Sequence, residues 1–299
     1  MIKGKLPFVY ILFAAVLWGT TGTAQTFAPA EAHPISIGTI RLLIGGIALF
    51  FISLFRGNFS LKGVKLKQVL GAGLGMAGYQ LLFFSGVKLT GIAIGTVIAI
   101  GSAPVFTGLI EWGIRRNQIS KLWWSATLLS IFGCCLLFVN GQITFKPEGI
   151  VLALGAGFSF AIYTILSKEL LQKHPSDQVA ALNFITGAIL LLPFLFLFDS
   201  SWFLSVRGAA VGLHLGILAT AIPYYLFSKG LSAVPASTAV TLSLGEPLTA
   251  SLLGVFVIGE TFTANSWAGF LLIFMGIVML TMPKGKEQAQ KNGVETKTL

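Results

Sequence analysis

Apolar residues run along this chain in long unbroken stretches, and the polar residues collect in the short breaks between them. A bilayer core about 30 Å thick takes roughly 20 apolar residues in an α-helix, where every backbone amide is bonded within its own segment. Ten stretches suit that requirement: Phe8 to Thr26, Ile35 to Phe55, Val69 to Val87, Ile92 to Trp112, Leu122 to Val139, Gly149 to Ser167, Gln178 to Phe198, Gly208 to Phe227, Ala236 to Ile258, and Ser266 to Met282. The connections carry turn formers and charges, as in Arg56-Gly57-Asn58, Asn140-Gly141 and Lys146-Pro147-Glu148-Gly149. A β-barrel would show shorter segments of alternating polarity. The pattern predicts an all-α polytopic membrane protein of ten transmembrane helices.

Composition agrees. Of 299 residues, 55% are hydrophobic and 10% charged, against about 25% charged in an average soluble domain. With 25 Phe there is too little polar surface to hold the chain in water, so soluble, disordered and coiled-coil classes are excluded. Cys134 and Cys135 are adjacent within an apolar run, and His33, His174 and His214 stand singly. No disulfide framework, metal site or cofactor is indicated. Two lysines precede the first apolar stretch, but further spans follow it, so a cleaved signal peptide is not expected.

Charge sets the orientation, because positively charged loops stay on the cytoplasmic side. With the N-terminus inside, that side receives sixteen Lys and Arg residues, including Arg56, Lys65, Arg115, Arg116, Lys168 and Lys229; the other side holds only Lys88, Lys146 and Arg207. Both termini are then cytoplasmic. The net charge of +10 reads as a topology signal, with no need of nucleic acid as a partner. Residues Lys284 to Leu299 are expected to form a solvated, disordered tail.

A duplication is visible. His33-Pro34, followed by Gly46, recurs 141 residues on as His174-Pro175 with Gly187. Gly86 and Ala103-Pro104 recur as Gly230 and Glu246-Pro247, at offsets of 144 and 143. The expected units are residues 1–145, with helices 1 to 5, and 146–283, with helices 6 to 10. An odd number of spans inverts the second copy relative to the first. Two nearly equivalent halves can exchange conformations and expose a central site to either face in turn, which makes alternating access the leading mechanism. The alternative is a duplicated scaffold without moving parts.

Trp18-Gly19, Arg41, Pro104, Gly245-Glu246-Pro247, Gly259-Glu260-Thr261-Phe262 and Gly269 to Gly276 together resemble the EamA-type transporters of the drug/metabolite transporter superfamily. The resemblance covers nearly the whole chain. It implies ten helices in two five-helix repeats, a bacterial cytoplasmic membrane, and commonly export of amino acids or related metabolites. The first copy departs from the second in having Ala103 where Glu246 stands, and Asn117 falls about where Glu260 would recur.

An ionisable group at the centre of a span costs about 2.5 to 3.5 kcal/mol, so each needs a reason. Arg41 offers a planar guanidinium to a substrate carboxylate, or else serves as a structural pair for freed carbonyls. Glu246 is the candidate to carry a proton or hold a substrate amine or coupling cation, or else hydrogen-bonds to a neighbouring helix. Pro247 removes a backbone donor beside it, which would leave a carbonyl around Ser243 unpaired and kink the helix; Pro104 is the matching kink position in the first copy. Glu111 and Glu260 lie at span ends, where capping is the expected use. Trp18, Tyr79, Gln80 and Tyr224 are the preferred cavity candidates, with Tyr163, Asn183 and Tyr225 behind them. Gly71 with Gly75, and Gly91 with Gly95, suit close helix approach.

No Gly-rich phosphate loop followed by Lys and Ser or Thr is present, so energy would come from a gradient and not from ATP. The expected function is secondary active transport of small metabolites, amino acids or related amphiphilic compounds, with export favoured and protons as a candidate coupling ion. A facilitative uniporter or exchanger and a multidrug-type efflux protein are the alternatives. A membrane-embedded enzyme is the distant one, because the spans hold no carboxylate or His pair at workable spacing. The partners are a small-molecule substrate and the bilayer, with a monomer or homodimer expected.

Overall fold

The computed structural model describes residues 4–138, 146–259 and 261–282. Helices are named here in chain order: α1 (Leu6–Thr26), α2 (Pro34–Phe55), α3 (Leu66–Thr90), α4 (Ile92–Gly113), α5 (Lys121–Phe138), α6 (Pro147–Leu170), α7 (Ser176–Leu197), α8 (Val206–Leu231), α9 (Ala236–Ile258) and α10 (Ala264–Thr281). No strand occurs among the described residues. Nine of these helices are long and apolar enough to cross a membrane, and α5 is a shorter apolar helix over Lys121–Leu137. The protein is a multi-pass membrane protein. The Asn140-Gly141 connection, Glu260 and the tail from Lys284 lie outside the described residues.

Local chemistry sets the helix ends. Proline opens α2 and α6, where its missing N–H costs nothing. His33 Nδ1 accepts from the Ile35 amide at 3.3 Å, and the Thr263 hydroxyl accepts from the Ser266 amide at 3.2 Å. Gly91, at φ +85°, joins α3 to α4 in a conformation that strains other residues. It is a junction and not half of a small-residue pair within a span. Gly71 and Gly75 do meet a neighbour closely, against Leu166 and the Ser159 carbonyl of α6.

Three spans depart from the regular helix expected of them. The seventh is broken at Pro193 into Ser176–Leu191 and Phe194–Leu197, because proline supplies no donor there. The eighth carries a π-helical stretch, His214–Ala221, ahead of Pro223. The ninth tightens to 3₁₀ over Ser243–Gly245, widens to π over Gly254–Ile258 and stops at left-handed Gly259. By contrast α4 runs as one helix through Pro104.

Packing follows a consistent scheme. Helix α3 lies on α6 and α8 on α1; α4 lies on α6 and α9 on α1; α3 lies on α7 and α8 on α2; α2 pairs with α7, and α5 with α10. Exchanging α1–α5 for α6–α10 leaves this set of pairings unchanged. Glycine marks the close approaches. A Cβ on Gly86 would meet the Gly149 oxygen at 3.1 Å and the Ala153 nitrogen at 3.0 Å, and one on Gly230 would meet the Pro7 oxygen at 2.6 Å and Ile11 Cγ1 at 2.5 Å. In both cases the late part of one helix meets the early part of the other, so the pairs are antiparallel.

Ile11, Leu42, Met76, Tyr163, Phe184, Phe227 and Leu242 belong to one fully buried core. Large apolar side chains also cover the outside, among them Phe13, Leu74, Phe132, Phe196, Phe256 and Phe274. In water that surface would cost about 25 cal/mol per Å²; hydrocarbon solvates it freely.

Candidate functional site

A cavity of about 720 Å³ penetrates the bundle from the end that carries His33 and Lys88. Thr26, Pro34 and Lys88 stand exposed at its mouth, and Trp18 and Tyr224 are buried at its floor. Its wall brings together Trp18, Arg41, Tyr79, Gln80, Tyr224 and Glu246. The aromatic floor is continuous: Trp18 and Tyr224 have ring centroids 4.7 Å apart, and Phe160 bridges to Tyr79 at 5.4 Å.

Arg41, 8% exposed, projects from α2 toward α8. Nε donates to the Thr220 hydroxyl at 3.1 Å and Nη2 to the Ala219 carbonyl at 3.2 Å. That carbonyl lies in the π-helical stretch, and residue 223, which would be its donor in a regular α-helix, is proline. Arginine has five N–H donors, so the remaining three are left to the cavity. Gln80 donates to the Gly38 carbonyl at 3.3 Å, which fixes its amide against α2.

Glu246 opens the helical stretch Glu246–Leu253 and is half-buried at the cavity wall. Among the described residues its carboxylate has no hydrogen bond, and Arg41 is the cation that acts on it. The carbonyl expected to be left unpaired by Pro247 is in fact satisfied. The chain tightens to 3₁₀, and the Glu246 amide donates to the Ser243 oxygen. Ser243 itself lines the cavity.

Tyr163, Asn183 and Tyr225 do not line this cavity. Tyr225 instead lies under the Arg56 guanidinium, 5.7 Å from its ring centroid. The cavity also includes Thr21, Gly22 and Gln25, which the sequence pattern did not single out. Their spacing from Trp18, at three, four and seven positions, is the signal that would have found them.

At the opposite end of the bundle polar side chains tie the helix ends together. Lys168 Nζ donates to the carbonyls of Leu231, Ser232 and Val234 at 2.7, 3.0 and 2.9 Å, closing the turn after α8. Glu111 accepts from the amides of Ala236 and Ser237 at 3.0 and 2.9 Å, which makes it the cap of α9. Glu169 binds Arg115 and Gln68, and Asp177 accepts from Asn58 at 2.7 Å.

Multi-pass helices surround a central cavity, an arrangement that suits a membrane transporter. The chain belongs to the EamA-like transporter family, whose model matches residues 5–139 and again 147–282. It is 46% identical to the uncharacterized transporter YwfM of Bacillus subtilis, over 96% of this chain and 97% of that one. It is 29% identical to the threonine/homoserine exporter RhtA of Escherichia coli K12, over 86% of this chain and 85% of RhtA. A crystal structure at 22% identity shares the fold, with a TM-score of 0.79 over 91% of this chain and 95% of that one.

Proposed function

We propose that the protein is a secondary active transporter that exports amino acids or related amphiphilic metabolites across the bacterial cytoplasmic membrane by alternating access. The observation that carries this reading is the pairing of charges in one cavity. The Arg41 guanidinium and the Glu246 carboxyl share a chamber whose lining also includes the aromatic rings of Trp18, Tyr79, Phe160 and Tyr224. A zwitterion with an apolar side chain matches that lining: its carboxylate to Arg41, its amine to Glu246, its hydrocarbon to Trp18, Tyr79 and Tyr224.

In this reading residues 1–145 and 146–283 are inverted repeats. The exchange-symmetric packing supports it, as does the separate match of each half to one family model. Antiparallel contact of α3 with α6 also supports it, since α1 and α3 run the same way when successive helices alternate. The Lys and Arg distribution puts both termini inside, so the cavity is open to the exterior and the Lys168–Glu111 end is the closed cytoplasmic gate. The name of RhtA supports the substrate class.

Purified protein in proteoliposomes, offered radiolabelled neutral amino acids with and without an imposed proton gradient, tests this. Gradient-dependent accumulation is expected. Equilibration without accumulation would leave a facilitative uniporter or exchanger, and no flux of any zwitterion would overturn the substrate class.

A further inference from the structure

A second group of polar residues lies outside the cavity, buried between α6, α7 and α8. Tyr163, Ser167, Asn183 and Ser228 have no solvent exposure. The Asn183 amide donates to the Ser167 hydroxyl at 2.9 Å, and the Ser167 hydroxyl donates to the Tyr163 carbonyl. The Tyr163 hydroxyl lies against those of Ser167 and Ser228 without completing a hydrogen bond to either. Tyr163 Oη, Asn183 Oδ1 and Ser228 Oγ therefore have no partner among the described residues. Three orphaned polar atoms in one place within a membrane bundle are costly, since each leaves its desolvation uncompensated.

The duplication gives the cluster a meaning. The close approaches that relate the halves fix the register: Pro7 and Ile11 under Gly230 correspond to Gly149 and Ala153 under Gly86. On α1 and α6 the offset is 142, and on α3 and α8 it is 144. Applied to the cavity wall, Thr21 corresponds to Tyr163, Gln25 to Ser167 and Phe84 to Ser228, while Asn183 falls within one position of the counterpart of Arg41. The buried cluster is thus the image, in the second half, of the wall of the open cavity in the first. Phe160 and Tyr224, the images of Trp18 and Gln80, already sit at the cavity floor and separate the two regions.

We propose that Tyr163, Ser167, Asn183 and Ser228 line the cytoplasmic half of the transport path, a polar cleft for zwitterionic or other hydrogen-bonding solutes that is folded shut in this conformation. The proposal rests on the alternating-access reading above. When the Lys168 and Glu111 ties release, the three orphaned atoms gain water or substrate, which offsets the hydrogen bonds given up at that end. The cluster carries no ionisable anchor comparable to Arg41 or Glu246. A solute therefore enters or leaves through it and is held at the paired charges above.

The test uses full-length protein with Cys134→Ala and Cys135→Ala, carrying Ser228→Cys or, as a position reference, Thr21→Cys. A charged, membrane-impermeant methanethiosulfonate reagent is applied to one face of oriented vesicles under transport conditions. Thr21→Cys is expected to react only from the His33 face, and Ser228→Cys only from the Lys168 face. If Thr21→Cys reacts and the Ser228→Cys protein transports while its cysteine stays inert from both faces, the cluster is interhelical glue and this inference falls alone. Reaction of Ser228→Cys from the His33 face would mean a continuous pore, and alternating access would fall with it. Ser167→Cys carries the same expectation and decides the matter if Ser228→Cys fails to insert.

Discussion

The Arg41 guanidinium donates to the carbonyl oxygen of Ala219 at 3.2 Å, in the π-helical stretch ahead of Pro223. The same side chain is therefore both a clamp on α8 and a donor to the cavity. Replacing it with lysine keeps the charge and loses the planar fork. Arg41→Lys is expected to weaken half-saturation for a carboxylate-bearing substrate by about 10- to 100-fold, the loss of one charge-assisted hydrogen bond. An amidated analogue, which offers no carboxylate, should change far less. Equal effects on both would mean that the arginine only holds α8.

Glu246 faces the cavity with no hydrogen-bond partner among the described residues. Glu246→Gln preserves its shape and removes its ionisation. Accumulation driven by an imposed proton gradient is expected to disappear while exchange of substrate across the membrane continues. Flux assays in proteoliposomes at several external pH values distinguish this from a packing role, in which the pH dependence would survive the substitution.

How much of the molecule is readable from its residues depends on whether the signal is local. The spans are legible because a run of apolar residues needs no partner to be recognised, and Arg41 and Glu246 stand out because each interrupts such a run. The paired glycines Gly86 and Gly230 are legible as a repeat, though not as sites of backbone approach. Rotation about each helix is not legible. In a membrane both the lipid face and the protein face are apolar, so no stripe says which way a side chain points. That is why Tyr163 and Asn183, grouped with the cavity candidates, lie behind its floor, and why Thr21 and Gln25 carry no mark of their place in the wall beyond their helical spacing from Trp18. The 3₁₀ turn that satisfies Ser243 is equally hidden, because proline predicts a missing donor but not the compensation.

Gly230 should be among the least replaceable positions. A Cβ there falls 2.6 Å from the Pro7 oxygen, a backbone atom with no rotamer to escape through. Gly230→Ala is expected to destabilise the protein by about 1 to 3 kcal/mol, the usual cost of overpacking. Gly113→Ala serves as the contrast, since nothing lies within 4 Å of its Cβ position at the end of α4. Removing that glycine's chain entropy favours the helix by about 0.5 to 1 kcal/mol. Thermal unfolding in detergent should rank the variants in that order, and a Gly230→Ala protein as stable as wild type would contradict the close α1–α8 approach.

His33 lies at the cavity mouth, stacked on Phe198 at 4.0 Å between ring centroids, and its Nδ1 caps α2 only while unprotonated. Partial burial, and secondarily the Lys88 ammonium, hold its pKa below the ordinary value of 6.5. The sign follows from which state holds the proton. Between the lowered folded value and 6.5 the unfolded chain binds a proton that the native chain does not, so stability rises with pH through that window. The contribution is complete above 6.5 and is lost as the pH falls through the interval. Solvent screening keeps it to about 1 kcal/mol at most. Acidifying from pH 7 to pH 5 should lower the unfolding midpoint, and His33→Asn, which retains a capping oxygen but cannot titrate there, should flatten that part of the slope. Lys88→Met should shift the midpoint of the change toward 6.5, whereas an unchanged pH profile in both variants would remove His33 from the acid response.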